Sequence, residues 1–208
     1  MASGVGRSPV SIAGLVLAAG AGRRMGRPKA LVRVPADGPT LLETALGRLG
    51  AAGCTRLVVV TGAAGEDVGP LAAELGAEAV HAPDWEEGMG ASLRCGLTHL
   101  QSTSVPDGGA DIALVTLVDL PDVTAEVMTR LLAAAQGEGR QTLVRAAYQG
   151  IPGHPVAIGR AHWAGIRSTA RGDRGARDYL GSTPHQVVEC GDLATGRDVD
   201  TVEDLHRA

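Results

Sequence analysis

Continuous apolar runs, rather than alternating ones, mark the first strands of this chain. The run at 13–18 ends in glycine-rich sequence, and 57–60 and 112–118 are similar runs of Val, Leu, Ile and Ala. A strand that is apolar at nearly every position is typical of a parallel sheet covered by helices on both faces. These runs therefore predict central strands of a mostly parallel sheet.

Segments with helical spacing of Leu and Ala alternate with these strands. The first opens at a capping box formed by Thr40 and Glu43. Helices are predicted at 41–49, 66–75, 92–101 and 124–135, with a short strand at 77–81. The alternation predicts an α/β fold with a three-layer, doubly wound, mostly parallel sheet, and it places ligands at the carboxyl ends of the strands.

The pattern is looser beyond residue 137. Two strands at 143–148 and 155–158 are predicted around a Gly150–Gly153 turn, followed by helices at 161–168 and 175–180, a strand at 187–189 and a helix at 201–206. Residues 1–11 contain no apolar run and are predicted to be a flexible leader. Residues 12–208 are predicted to form a single domain with this Rossmann-like α/β fold.

Composition narrows the possible partners and the cell compartment. The net charge of −4 argues against binding to nucleic acid or to an anionic membrane surface. No run is long enough to span a bilayer. Cys54, Cys95 and Cys190 are far apart and form no CxxC pair, so they predict neither a disulfide framework nor a zinc site. We expect reduced cysteines and a cytoplasmic protein.

A glycine-rich, cationic loop directly after the first strand is the strongest chemical signal. Residues 17–29 read LAAGAGRRMGRPK. Glycines allow backbone N–H groups to face a phosphate chain, and arginine and lysine neutralise its charge. No Gly-Lys-Ser/Thr follows, as a Walker A loop requires, and the glycine spacing is one residue too long for the dinucleotide fingerprint. The loop therefore predicts a polyphosphate site of another kind.

Asp119 ends the most apolar strand, where a doubly wound sheet places its ligands. Magnesium binds one or two protein carboxylates and completes its shell with water and phosphate oxygens, so Asp119 is a candidate metal ligand. The alternative is that Asp119 caps the turn that follows the strand.

The loop resembles the nucleotide-binding signature of the MobA-like nucleotidyltransferases, and within them the molybdenum cofactor cytidylyltransferases. That signature is Leu-Ala-Ala-Gly, then Arg-Met-Gly, then Lys, and residues 85–93 also resemble the family's Trp-x-x-Gly-Met-x-x-Ser-Leu segment. The resemblance implies that Arg24 holds the triphosphate and that Lys29 stabilises charge on the α-phosphate. The implied nucleotide-binding residues are Leu17, Ala18, Ala19, Gly20, Gly22, Arg24, Lys29, Gly88, Met89 and Ser92; Ser92 could equally cap its helix.

Three further segments carry the resemblance towards the C-terminus. Residues 198–205 resemble Asp-x-Asp-Thr-Pro-Glu-Asp-Leu, with Val202 in place of Pro, which implies Asp200 as a second metal carboxylate or as a helix cap with Thr201. The Gly-His-Pro and Gly-Asp-x-Gly-x-Arg segments imply His154, Asp173 and Arg177 as acceptor-binding residues. We expect His154 to lie in a loop.

The resemblance implies a Mg²⁺-dependent enzyme with Lys29, Arg24 and Asp119 as catalytic residues. It would transfer CMP from CTP to the phosphate of a molybdopterin-type acceptor, and a molybdoenzyme would receive the product. Ala19 favours cytidine because the guanylyl branch usually has Gly there. One alternative is guanylyl or other nucleotidyl transfer to a sugar phosphate or another small phosphorylated metabolite. A second is a dinucleotide-binding oxidoreductase, although this sequence lacks the acid that such an enzyme would need after Val60. A third is a non-catalytic, nucleotide-sensing module.

Overall fold

One seven-stranded sheet carries the fold in the computed structural model, which describes residues 10–102 and 109–205. The strands are β1 (Ile12–Ala18), β2 (Arg56–Thr61), β3 (Glu78–His81), β4 (Ile112–Leu117), β5 (Leu143–Tyr148), β6 (Ile151–Gly159) and β7 (Gln186–Glu189). Their order is β3-β2-β1-β4-β6-β5-β7. β6 pairs antiparallel with β4 and β5, and the other four pairings are parallel. The mostly parallel sheet predicted from the apolar runs is confirmed.

Helices cover both faces of this sheet. They are α1 (Leu41–Ala51), α2 (Gly65–Glu74), α3 (Met89–Ser102), α4 (Ala125–Ala134), α5 (Trp163–Thr169), α6 (Arg177–Ser182) and α7 (Val202–Leu205). α1, α2 and α4 pack on one face, and α3, α5 and α6 pack on the other, each with its own buried cluster. The three-layer α/β prediction is therefore confirmed. Among the described residues, no helix is both long and apolar enough to cross a bilayer.

The predicted capping box of α1 is present. The Thr40 side chain accepts a hydrogen bond from the Glu43 backbone, and the Glu43 carboxylate accepts one from the Thr40 backbone. Each of these bonds satisfies a backbone N–H at the start of the helix that has no helical partner.

The predicted turn at Gly150–Gly153 is wrong. β6 begins at Ile151, and the tight turn consists of Gln149 and Gly150, which have φ values of 52° and 78°. Two consecutive residues of positive φ suit the right-handed twist of a two-residue hairpin. His154 consequently lies within β6 and not in a loop, as we had expected.

α3 begins at Met89, three residues before the predicted start at 92. Ser92 lies inside the helix and is buried, so it does not cap the helix. The early start is supported from outside the helix, because a Cβ atom on Gly90 would be 2.7 Å from the backbone nitrogen of Arg171. The first turn of α3 thus packs directly against another backbone, which the local sequence does not reveal.

Arg48 of α1 holds the loop that follows β4. Its guanidinium donates to the carbonyl oxygens of Leu120 (3.3 Å), Pro121 (2.6 Å) and Val123 (2.9 Å). One partly buried side chain thus satisfies three loop carbonyls beside Asp119.

Arg48→Met is expected to lower the free energy of unfolding by about 2 kcal/mol, because it leaves these carbonyls without their charged donor. Urea denaturation measures the change. Arg33→Met is the matched control, since Arg33 is exposed and its side chain contacts the nearby residues Gly38 and Glu43, and it should cost about 0.5 kcal/mol or less. Equal losses in the two variants would show that Arg48 does not stabilise the loop.

Some predictions fall on residues that the structure does not describe. Most of the proposed leader (1–9) and the last residue of the predicted final helix (206) lie outside the described residues, as do 103–108 and 207–208. Ser11, at the end of the proposed leader, bonds to Asp111 through its backbone N–H (3.1 Å) and to the Gly109 carbonyl through its hydroxyl (2.9 Å).

Candidate active site

The glycine-rich loop after β1 turns back across the end of that strand. Gly22 has a φ of +61°, and a Cβ atom there would be 1.9 Å from the carbonyl oxygen of Arg27. Only glycine fits so close an approach of two backbone segments. Met25 is buried and anchors the loop in the core, which leaves the neighbouring Arg23 and Arg24 side chains exposed.

Lys29 is the central cation of the site. It begins a short 3-10 turn whose next residue, Ala30, is buried, and its own side chain is only 17% exposed. Its Nζ donates to Asp119 Oδ2 at 2.7 Å and to Asp200 Oδ1 at 2.6 Å. Burial lowers the pKa of Lys29, but the two carboxylates outweigh burial and raise that pKa above its ordinary value. Lys29 is therefore charged at neutral pH.

Arg24 contacts the other carboxylate oxygen of Asp200. One of its terminal nitrogens donates to Asp200 Oδ2 at 2.7 Å, although the arginine side chain is 76% exposed. The hydrogen bond from Lys29, followed by the charges of Lys29 and Arg24, lowers the pKa of Asp200. The cationic loop and the carboxylates at the sheet edge thus face each other in one place.

A buried valine aligns two aspartates at this edge. The Val199 N–H donates to the Asp119 carbonyl oxygen at 2.9 Å, and the Val199 side chain is buried. Asp198 and Asp200 flank this valine, and their side chains are exposed and partly exposed, respectively. Oxygens of Asp119, Asp198 and Asp200 lie within 4.8 Å of one another.

These three carboxylates fit a hard divalent cation. Their donor atoms are all oxygens, which suit Mg²⁺ and Mn²⁺ better than a softer metal. The ammonium of Lys29 already lies between Asp119 and Asp200, so this position attracts a cation. Asp198 was not among the predicted ligands, although the Asp-x-Asp spacing that it shares with Asp200 could have identified it.

The alternative capping roles are resolved by the hydrogen bonds. At the start of α7, the Asp204 carboxylate accepts from the Thr201 backbone at 2.9 Å, and the Thr201 hydroxyl accepts from the Asp204 backbone at 3.3 Å. The helix is thus capped by Thr201 and Asp204. The carboxylate of Asp200 bonds to the two cations instead, and that of Asp119 bonds to Lys29.

A cleft of about 520 Å³ opens between the glycine-rich loop and the start of α3. Every residue predicted to bind nucleotide lines it, namely Leu17, Ala18, Ala19, Gly20, Gly22, Arg24, Lys29, Gly88, Met89 and Ser92. Asp119, Asp200 and Trp85 line it as well. The structure therefore places the predicted nucleotide-binding and metal-binding residues in a single cleft.

Asp173 lies at the boundary of this cleft. Gly88 has a φ of +108°, and a Cβ atom on it would be 2.4 Å from the Asp173 carboxylate. The segment that contains Asp173 therefore packs against the residue that precedes α3. Asp173 lines both the cleft and a smaller recess beside it, so it does not belong to the acceptor side alone.

His154 and Arg177 line that smaller recess, together with Arg145. Burial, followed by the positive charges of Arg145 and Arg177, lowers the pKa of His154 to about 4. His154 is therefore neutral at physiological pH. Arg145 was not among the predicted site residues.

His154 gives folding a specific pH dependence. Because its pKa is about 4 in the folded chain and near 6.5 in an unfolded one, the unfolded chain binds more protons between these values. Stability should therefore fall as the pH drops through this window, by at most about 1.4 kcal/mol per pH unit. Unfolding free energies at pH 6.5 and 5 should differ by about 1–2 kcal/mol more in the parent than in His154→Gln. Parallel curves would place the folded pKa near its ordinary value.

Sequence comparison gives a family match and several relatives that are similar over nearly their full length. Residues 14–187 match the family of the MobA-like NTP transferase domain. A protein of Paenarthrobacter nicotinovorans named Nicotine blue oxidoreductase is 37% identical, over 94% of this chain and 95% of that protein. A probable molybdenum cofactor guanylyltransferase of Mycobacterium ulcerans is 28% identical, over 94% of this chain and 92% of that protein.

Structural comparison finds the same architecture in solved proteins. A Mycobacterium tuberculosis H37Rv protein, crystallised as a complex with manganese, superposes with a TM-score of 0.71 at 26% identity. The match covers 95% of this chain and 97% of the other. The similarity thus extends over nearly the whole of both chains.

Proposed function

Because the chain belongs to the MobA-like NTP transferase family, we propose that it transfers CMP from CTP to the phosphate of a molybdopterin-type cofactor and releases pyrophosphate. The observation that carries the proposal is the contact of Lys29 with Asp119 and Asp200 at the edge of the nucleotide-sized cleft. A cation and metal-binding carboxylates within reach of a phosphate-binding loop are the parts that phosphoryl chemistry uses.

The proposed reaction is a direct displacement at phosphorus. An oxygen of the acceptor phosphate attacks the α-phosphorus of CTP, and the bond from the α-phosphorus to the bridging oxygen breaks, so that pyrophosphate leaves with that electron pair. A phosphate monoester is largely ionised at pH 7, so no general base is needed. Catalysis then consists of positioning and of charge neutralisation.

This chain's residues would divide these tasks as follows. The backbone of the glycine-rich loop and Arg24 would bind the triphosphate, and Lys29 would donate to the α-phosphate as charge develops there. Asp119 and Asp200, with Asp198 beside them, would hold Mg²⁺, which when bound neutralises phosphate charge. The related M. tuberculosis protein was crystallised as a complex with manganese, which supports a divalent cation at this site.

Cytidine specificity rests on the wall of the cleft at Ala19. A Cβ atom on Gly62 would be 2.8 Å from Ala19 Cβ and 2.7 Å from the Trp85 ring, so this wall is closely packed. The methyl group of Ala19 narrows the cleft where guanylyl relatives usually have Gly. Because one relative is named a probable guanylyltransferase, GTP is the first nucleotide to compare with CTP.

A thermal-shift panel of CTP, GTP, ATP, UTP and NADH with Mg²⁺ tests the proposal. We expect CTP to stabilise the protein most, because a ligand that binds only the folded chain raises its stability. Ala19→Gly should reduce the preference for CTP over GTP by about tenfold, the usual effect of one methyl group in a pocket. A greater stabilisation by GTP would assign the chain to guanylyl transfer.

The second candidate function is oxidation or reduction, and one observation favours it: the relative with 37% identity is named an oxidoreductase. A dinucleotide site of the usual type needs an acid after β2 to hold a ribose, whereas Gly62 stands there under Ala19 and Trp85. Stabilisation by NADH alone, with no shift from any triphosphate, would favour the redox function over nucleotidyl transfer.

A further inference from the structure

The segment that connects β7 to α7 determines where two of the three clustered carboxylates lie. Residues 190–201, all within the described part of the chain, form neither helix nor strand, and they include Asp198 and Asp200. The Val199 N–H, bonded to the Asp119 carbonyl oxygen at 2.9 Å, attaches the end of this segment to the sheet edge. Because no helix or sheet ladder fixes the path of these residues, their position depends on contacts made earlier in the segment.

Asp122 holds the middle of the segment. Its Oδ2 accepts a hydrogen bond from the backbone N–H of Thr195 at 2.6 Å and another from the Thr195 hydroxyl at 2.5 Å. Asp122 follows Asp119 in the same loop after β4. One loop therefore contains both Asp119 and the anchor of the segment that brings the other two carboxylates to it.

The residue after Thr195 packs closely on an aromatic ring. Gly196 has a φ of +65°, and a Cβ atom there would be 2.2 Å from the ring of Tyr148. Tyr148 is buried, and its hydroxyl donates to the His154 carbonyl oxygen at 2.6 Å, which fixes the ring. Only glycine permits this approach in this conformation. The anchor at Thr195 and the ring of Tyr148 thus define the path of the chain just before Asp198.

The anchor itself is a carboxylate whose hydrogen bonding is incomplete. Asp122 Oδ1 is buried and has no hydrogen-bond partner among the described residues. Burial lowers the pKa of Arg48, and the charge of Asp122 opposes that shift, so Asp122 interacts with the arginine that holds its own loop. A buried polar atom without a partner lowers stability. The arrangement is therefore better explained by a need to hold Thr195 in place than by stabilisation of the fold.

We propose that Asp122 and Thr195 are positioning residues for the three carboxylates that would hold a divalent cation. Oxygens of Asp119, Asp198 and Asp200 lie within 4.8 Å of one another, and a cation such as Mg²⁺ tolerates little variation in ligand geometry. Residues that orient metal ligands commonly change metal affinity by about 10–100-fold when they are replaced. The inference rests on the cation site of the proposed function.

Binding of Mn²⁺ to the full chain without nucleotide tests the proposal, with electron paramagnetic resonance of free Mn²⁺ as the readout. Asp122→Ala should weaken Mn²⁺ binding by about tenfold. Thr195→Val keeps the backbone donor but loses the hydroxyl donor, and should weaken it by about threefold. Thr195→Ser restores the hydroxyl and should bind Mn²⁺ within about twofold of the parent. This rescue separates the hydrogen bond from the bulk of the side chain.

Amide hydrogen exchange tests the same positioning without a metal. In Thr195→Val, the Val199 amide should exchange about threefold faster or more, because the segment opens locally. Amides of the central strand β1 should keep the parent rates, since a local opening leaves the sheet intact. If Asp122→Ala does not fold, the comparison of Thr195→Val with Thr195→Ser decides the question.

Two further variants serve as controls. Asp192→Ala removes a carboxylate from the same segment, but one that pairs with Arg130 from an exposed side chain, and it should leave Mn²⁺ binding within about twofold. Asp200→Asn should weaken Mn²⁺ binding, which places the ion at the carboxylates.

Parent-like Mn²⁺ binding and Val199 exchange in both Asp122→Ala and Thr195→Val would overturn the positioning role, even if Asp200→Asn weakens Mn²⁺ binding as expected. Mn²⁺ binding that does not depend on Asp200 would overturn the cation site and the positioning role together. If the variants behave as expected but CTP fails in the thermal-shift panel, the positioning role stands and the cytidylyl function does not.

Discussion

Asp119→Asn is expected to abolish metal-dependent pyrophosphate release, with a fall in rate of about 10³-fold. The amide keeps the shape of the side chain but removes the charge that would hold a divalent cation and that now pairs with Lys29 at 2.7 Å. Pyrophosphate release from CTP, measured with the proposed molybdopterin-type acceptor and Mg²⁺, gives the rate. The fold should remain intact, because the backbone bond from Val199 to the Asp119 carbonyl does not involve the carboxylate.

Asp192→Asn is the matched control for this change. Asp192 is an exposed carboxylate that pairs with Arg130, and it lies outside the residues that line the cleft. Its loss should leave the rate unchanged. If Asp119→Asn retains the parent rate while its unfolding curve matches the parent's, Asp119 is not a metal ligand, and the carboxylate pair of Asp198 and Asp200 becomes the candidate.

The architecture was predictable because its signals are local. Continuous apolar runs identified β1, β2 and β4, and the Thr40 capping box identified the start of α1. The errors occur where a distant segment decides the outcome. α3 starts early where the Arg171 backbone packs on Gly90, and Ile151 and Pro152 belong to a strand because they pair with β5. Local sequence contains neither contact.

The residues of the candidate site also fall into two groups, those that local sequence predicts and those that tertiary packing brings to the site. Its loop and the positions of Asp119 and Asp200 followed from motif spacing and from the end of an apolar strand, and the structure brings these residues together. Asp198 and Arg145 were missed. Asp198 joins the carboxylates because Val199 is buried, and Arg145 reaches the recess because β5 lies beside β6. Both facts depend on tertiary packing.

Lys29→Ala is expected to lower kcat by about 10²–10³-fold while KM for CTP changes little. The reason is that Lys29 would act on charge that develops during the displacement, whereas the loop backbone and Arg24 supply most of the binding to the ground state. Steady-state rates over a range of CTP concentrations measure both constants. A large rise in KM with an unchanged kcat would reassign Lys29 to ground-state binding.

Lys29→Ala also tests whether the lysine ammonium and a divalent cation compete for Asp119 and Asp200. Lys29 Nζ contacts Asp119 at 2.7 Å and Asp200 at 2.6 Å, so the ammonium and a divalent cation would share the same two carboxylates. Without nucleotide, Lys29→Ala should therefore bind Mn²⁺ more tightly than the parent, by about tenfold if one charged contact is relieved. Electron paramagnetic resonance of free Mn²⁺ measures this without turnover.

Arg24→Ala is the control for that competition, because Arg24 also pairs with Asp200 but from a side chain that is 76% exposed. An exposed ion pair contributes little, so its loss should change Mn²⁺ affinity by less than about threefold. Weaker Mn²⁺ binding in Lys29→Ala would mean that the ammonium orders the carboxylates for the cation rather than excluding it. Tighter binding would mean instead that Lys29 must leave Asp119 and Asp200 before a cation binds there, so that the lysine becomes available to the phosphates when the cation arrives.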